Sequence, residues 1–129
     1  MDGSDGGGPF RLTTVTLSAP DPPALADFYQ ALLGWTRGEQ EPGWVTLRAP
    51  GGGVRLAFHL DPGYVRPSWP TRPGHQQMMI HLDLQVDDLS AATARAVQLG
   101  ARVADYQPQD DVRVCLDPAG HPFCLWVQT

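Results

Sequence analysis

The chain has 129 residues, of which 42% are hydrophobic and 18% charged, with a formal net charge of −5. That composition suits one globular domain with a real core and excludes a disordered chain. The acidic balance argues against nucleic acid and anionic membrane surfaces as partners, and no apolar run approaches the roughly 20 residues of a membrane-spanning helix.

Residues 1–9 are rich in Gly, Asp and Ser and read as a flexible leader ahead of a domain over 10–129. They lack the basic start and apolar stretch of a secretion signal, so a cytoplasmic protein is expected. A first strand is predicted over 10–18. Asp21 followed by Pro22 and Pro23 then starts a helix, with Asp at the cap and Pro in the first turn. Leu25, Phe28, Tyr29, Leu32 and Leu33 recur at helical spacing, and Gly34 stops the helix. Short strands are predicted near 35–37, 44–49 and 54–60, separated by Pro-Gly and Gly-Gly-Gly turns. Residues 61–76 are Pro-rich and form a stiff connector between two halves, about 10–60 and 77–128.

The second half repeats the plan: a strand over 78–86, a helix over 89–99, then strands near 102–106, 112–116 and 122–127. The repeat is visible in the residues themselves. Thr14-Val-Thr-Leu-Ser-Ala-Pro-Asp21 and His81-Leu-Asp-Leu-Gln-Val-Asp-Asp88 both alternate, both end in a capping Asp, and both lead into an Ala-rich helix that stops at Leu-Gly. In that register Thr14 lies opposite His81. Two βαβββ units with only two helices leave one sheet face covered and one open, an α+β arrangement.

Period-two alternation sorts the strand residues. Val15, Leu17, Val45, Leu47, Val54, Leu56, Phe58, Leu82, Leu84, Val86, Val112, Val114, Phe123, Leu125 and Val127 should pack under the helices. The open face then receives Thr14, Trp44, Arg48, Arg55, His59, His81, Asp83, Arg113, Cys115, Cys124 and Trp126, with no Lys or Glu. A plain solvent face would be rich in both, so this set looks like the lining of a small-molecule cleft. Cys115 and Cys124 are expected as free thiols. His75 and His121 fall in loops and turns. Gly51-Gly-Gly53 lacks the Lys and the following helix of a phosphate loop.

Three segments carry a family resemblance: Ala24-Leu-Ala-Asp-Phe-Tyr-Gln-Ala-Leu-Leu-Gly-Trp35, the stretch from His81 to Leu89, and Leu116-Asp-Pro-Ala-Gly-His-Pro-Phe-Cys-Leu125. They resemble the vicinal-oxygen-chelate superfamily, in its glyoxalase-like and bleomycin-resistance-like branch. The resemblance implies paired βαβββ modules forming a curved mixed sheet around a cleft, often completed by a homodimer partner. Metal-dependent members draw four ligands, His, Gln or Glu, from equivalent strands of the two halves. Carried over, those places fall on Thr14, His59, His81 and Cys124, so the usual site is not assembled. The expected function is therefore binding of a small, aromatic or bulky metabolite, with Thr14, Trp44, Arg48, Arg55, His59, His81, Asp83, Arg113, Cys124 and Trp126 as ligand-binding residues and no cofactor. The alternative is a metal-dependent lyase, isomerase or dioxygenase, with His59 and His81 as catalytic candidates and zinc or iron held by His59, His81 and Cys124.

Overall fold

The computed structural model describes residues 8–128. The first unit holds β1 (Thr14–Ala19), α1 (Pro22–Leu33), β2 (Thr36–Glu41), β3 (Trp44–Arg48) and β4 (Arg55–Leu60). The second holds β5 (Leu82–Gln85), α2 (Leu89–Leu99), β6 (Arg102–Val103), β7 (Val112–Leu116) and β8 (Pro122–Trp126). Each makes its own four-stranded mixed sheet, in the same order: β1-β4-β3-β2 and β5-β8-β7-β6. β1 runs parallel to β4 and β5 parallel to β8. This is the α+β, paired βαβββ architecture that the repeat predicts. The registers also match. Val15 faces Leu56 in the first unit and Leu82 faces Phe123 in the second, which puts Thr14 and His81 at equivalent places.

The helix boundaries follow from their caps. Asp21 accepts a hydrogen bond from the Ala24 N–H at 3.2 Å, and Asp88 one from the Ala91 N–H at 3.0 Å. Each satisfies a donor that the first helical turn leaves without a partner. Gly34, at φ 71°, closes α1 in the left-handed conformation that glycine adopts without strain.

The helix-facing sides of both sheets feed one core, including Leu17, Leu47, Phe58, Phe123 and Leu125. α1 bridges the units: its Phe28 and Tyr29 rings lie 5.9 Å and 6.1 Å from Phe123, and it packs against α2. Among the described residues, no strand of one sheet lies alongside a strand of the other. The units are therefore joined through their helix layer, and each open face points away from the shared core.

Polar bonds tie the same junction. The Tyr29 hydroxyl donates to Asp117 Oδ2 at 2.7 Å, and Asp117 Oδ1 accepts from the N–H groups of Ala119 and His121 at 2.9 Å and 3.0 Å. His121 Nε2 reaches the Ser18 carbonyl at 2.7 Å, and the Tyr64 hydroxyl donates to the Ala119 carbonyl at 2.7 Å. Burial pushes the Tyr29 phenol and the Asp117 carboxyl above their ordinary values. For Asp117 the opposing influences, chiefly His121 and then the Tyr29 hydrogen bond, do not overcome that burial.

Several boundaries differ from the sequence expectation. The first strand starts at Thr14 rather than at residue 10, and Phe10 and Leu12 are exposed. The strand expected over 78–86 is only Leu82–Gln85, because Met79 and Ile80 find no covered face. β2 runs on to Glu41, with its pairing to β3 shifting between Arg37 and Gln40. Most of the expected leader lies outside the described residues.

Candidate functional site

The open face of the first unit is built by three registers. Thr14 stands beside Arg55 and Ser18 beside His59 across the parallel β1–β4 pair, while Trp44 stands opposite His59 across β3–β4. Thr14, Trp44, Arg55 and His59 therefore share one face, as alternation predicts. Arg55 is fixed at both ends of its head group: Nε donates to Thr14 Oγ1 at 2.8 Å, and a terminal nitrogen donates to Glu39 Oε1 at 3.2 Å. The Trp44 indole N–H donates to the same carboxylate oxygen at 3.3 Å, and its ring stands edge-on to His59 with centroids 6.4 Å apart. Arg48 pairs with Thr36 at the edge of this sheet and is exposed.

Glu39 is the residue that sequence reasoning missed. The expected strand stopped at residue 37, and the open face was expected to carry no Glu. The extension of β2 and its irregular pairing bring the Glu39 carboxylate over Trp44 and Arg55. The Glu39 N–H also donates to Thr46 Oγ1 at 2.8 Å, which fixes the irregular turn of chain. A local break in strand pairing leaves no periodic signal to read.

In the second unit, Asp83 stands beside Cys124 and Gln85 beside Trp126 across β5–β8. His81 projects to the same side: its Nε2 lies 3.1 Å from Asp83 Oδ1. His81, Asp83 and Cys124 form a group whose donor atoms all lie within 4.8 Å of one another. Partial burial, and then the Asp83 carboxylate beside it, push the Cys124 thiol above its ordinary value. Cys124 is thus protonated at neutral pH and is no activated nucleophile.

β7 corrects the sequence assignment of faces. Its register sets Val112 opposite Trp126 and Val114 opposite Cys124, so the two valines floor the open face. Arg113 stands opposite Leu125 and Cys115 opposite Phe123, on the helix side. Arg113 does not join the other expected ligand-binding residues. With Leu89, Ser90, Thr93 and Ala94 it lines a recess beside α2. Its stem can lie along apolar surface while the head group stays wet, so an arginine can occupy a helix-side position. Alternation alone could not separate these faces, because Val112 and Val114 are as apolar as true core residues. Cys115 is fully buried, and that burial pushes its thiol up to about 11. Both cysteines are free.

Trp44 and His59 belong to one face, and His81 and Trp126 to the other. A concavity of about 390 Å³ lies between β1 and the connector, lined by Thr16, Ser18, Tyr64, Gln76, Met78 and His121 among others.

Equivalence between the units also tests the four-ligand metal site that the resemblance implies. The matched registers pair Thr14 with His81, Ala57 with Cys124 and His59 with Trp126. The first unit thus offers a hydroxyl and a methyl where the second offers an imidazole and a thiol. The residues present do not fit a site drawn equally from both halves. Among the described residues, only the second unit groups ligating atoms.

A glyoxalase-type protein is what two such matched modules define, and the comparisons agree. The sequence profile of the family described as "Glyoxalase-like domain" matches residues 14–126, and the chain belongs to that family, within the vicinal-oxygen-chelate superfamily. The anthracycline biosynthesis protein DnrV of Streptomyces peucetius is 34% identical over 122 residues, which are 85% of this chain but 44% of that protein. The chain thus spans less than half the length of this relative. A glyoxalase/bleomycin resistance protein/dioxygenase family enzyme from Burkholderia phytofirmans PsJN superposes with a TM-score of 0.70 at 19% identity, over 92% of this chain and 98% of that one. Oxidase ChaP-H2 does so with a TM-score of 0.63 at 19% identity, over 95% and 96%. The lactoylglutathione lyase of Agrobacterium tumefaciens has a TM-score of 0.60 at 18% identity, over 92% and 94%. At these identities the superpositions establish the fold alone.

Proposed function

We propose that this glyoxalase-like protein binds a bulky, planar aromatic metabolite in a cleft made by two copies of the chain, and that this binding does not need the superfamily's four-ligand metal site. The carrying observation is the chemistry of the two open faces. One offers Trp44 and His59 beside an Arg55 already held by Thr14 and Glu39. The other offers Trp126 above an apolar floor of Val112 and Val114. Indole rings supply stacking surface, and a fixed guanidinium supplies a directional partner for a ligand oxygen. The relative whose name places it in anthracycline biosynthesis supports the same ligand class, since anthracyclines are fused-ring aromatics.

A homodimer is part of this reading. In it, a cleft flanked on both sides sets the open face of the first unit of one copy against that of the second unit of another. Phe10, Leu12, Val65, Met79 and Ile80 are exposed at 56% or more and provide apolar surface for that contact. No helix among the described residues is long and apolar enough to cross a membrane. Unpaired thiols suit a reducing compartment, so we place the protein in the cytoplasm. The metal-dependent alternative keeps one observation in its favour, the His81, Asp83 and Cys124 group.

The experiment is a titration of EDTA-treated, tag-free protein with an anthraquinone carboxylate, followed by tryptophan quenching, alongside light scattering. Saturable binding and a dimer mass at micromolar concentration are expected. No saturable quenching by this or a neutral fused-ring quinone would overturn the ligand reading. A monomer mass would overturn the shared cleft.

A further inference from the structure

We infer that the first unit holds a phosphate group at the end of its open face, between the guanidiniums of Arg48 and Arg55 and beside the Thr36 hydroxyl. The ligand class is a small phosphate monoester. This goes beyond the proposed function: the site shares Arg55 with that reading but needs neither an aromatic ring nor a second copy. Arg48 stands four positions along β3 from Trp44, about 13 Å at the rise of a strand.

Register carries the inference. The β1–β4 pairing sets Thr14 beside Arg55, and the β2–β3 pairing sets Thr36 beside Arg48. The β3–β4 register sets Leu47 opposite Leu56, and one step further along it brings Arg48 beside Arg55. A single row across the four strands thus reads Thr14, Arg55, Arg48, Thr36. Residues in such a row share a face. For this row it is the open face, since Leu47 and Leu56, one step away, are buried, and Arg37 beside Leu47 pairs with Asp27 of α1. Like charges side by side on neighbouring strands repel and weaken a sheet. Glu39 answers Arg55 at 3.2 Å. Among the described residues, no carboxylate lies within ion-pairing distance of Arg48. In a chain of net charge −5, this pair is a local positive spot whose repulsion a bound anion relieves.

The surroundings fit a phosphate group. Thr36, Arg48, Arg55 and the turn of Gly51, Gly52 and Gly53 line a recess of about 380 Å³. The three glycines have φ of 78°, 90° and 95°, and a Cβ at any of them would meet nothing within 4 Å. Bare backbone therefore borders the recess, as it does where a ligand approaches the main chain closely. Arg55 is already oriented, since its Nε donates to Thr14 Oγ1 at 2.8 Å and one terminal nitrogen donates to Glu39. One guanidinium fork is enough to satisfy a carboxylate. Two neighbouring forks with a hydroxyl match the three acceptor oxygens and the larger charge of a phosphate monoester. The turn is no phosphate loop, and here the arginines supply the charge.

The test is calorimetric titration of inorganic phosphate and of glycerol phosphate into the full chain at neutral pH, with acetate in parallel. Ionic strength is held fixed, because salt screens exposed charges. One phosphate per chain is expected from either phosphate probe, with acetate at least about tenfold weaker. Arg48→Gln should weaken phosphate by at least about tenfold, and Thr36→Val by less. Glu39→Gln should strengthen it, since Arg55 loses its competing carboxylate. Arg95→Gln, on α2, should leave phosphate affinity unchanged. An Arg48→Gln variant that is folded by circular dichroism and keeps wild-type phosphate affinity would overturn the site. So would absence of saturable phosphate binding, equal loss in Arg95→Gln, or acetate bound as tightly as phosphate. A chain that binds phosphate but no neutral fused-ring quinone keeps this site and loses the proposed aromatic ligand, and the reverse result loses this site alone.

Discussion

Replacing Tyr29 with Phe tests the joint between the two units. Tyr29 is fully buried and Asp117 is 2% exposed, so the 2.7 Å hydrogen bond between them is shielded from water. Tyr29→Phe keeps the ring against Phe28, Phe58 and Phe123 and removes only the donor. A hydrogen bond to a charged group contributes about 1.5–3 kcal/mol, and Asp117 would keep just its two backbone donors. For a chain of this size each kcal/mol moves the melting temperature by roughly 3–5 °C, so a fall of roughly 5–15 °C is expected at neutral pH. Burial raises the carboxyl above its ordinary 3.8 in the folded protein. The folded state therefore holds this proton more tightly than the unfolded chain does. By linkage, the penalty for burying Asp117 is fully present above its folded value and is relieved as pH falls through that value toward 3.8. The deficit of Tyr29→Phe should shrink over the same window, since a protonated Asp117 needs the donor less. Thermal unfolding by circular dichroism from pH 7 downward, for wild type, Tyr29→Phe and Asp117→Asn, checks this. A Tyr29→Phe protein that melts within a degree of wild type at neutral pH would refute the view that this bond secures the unit junction.

Other expectations concern the faces and one turn. Trp126→Ala should weaken quinone binding by about tenfold or more, from lost stacking and lost burial together, while the melting temperature stays near wild type. Glu39→Gln should strengthen binding of the anthraquinone carboxylate relative to the neutral carboxamide, because Arg55 loses its competing carboxylate; equal change for both would show that Arg55 does not meet the ligand's charge. Gly120→Ala should destabilise by about 1–2 kcal/mol, since an L-residue there must adopt φ +92° and its Cβ would stand 2.4 Å from the Arg66 side chain; an unchanged denaturation midpoint would refute it.

The parts of this fold that could be read in the sequence are those where local chemistry and tertiary structure agree. The two capping aspartates, the Leu-Gly helix stops and the alternation in β1, β3, β4, β5 and β8 each report a requirement met within a few residues. Thr14, Trp44, Arg55 and His59 reach one face for that reason, and so do His81, Asp83, Cys124 and Trp126. What stayed hidden depends on facts that no short segment records. β7 reads Val-Arg-Val-Cys-Leu, and either alternation of that segment is credible alone; only pairing with β8 assigns Arg113 and Cys115 to the helix side. Glu39 reaches the first face through a break in strand pairing. Asp117 looks like a turn residue, and its hydroxyl partner is 88 positions away on α1. That last contact also governs what the site can be. Because α1 and its Tyr29 join the units by their helix sides, the open faces are the sides of the two sheets turned away from the shared core. In the function proposed above, a molecule flanked by both Trp44 and Trp126 is bound by two chains.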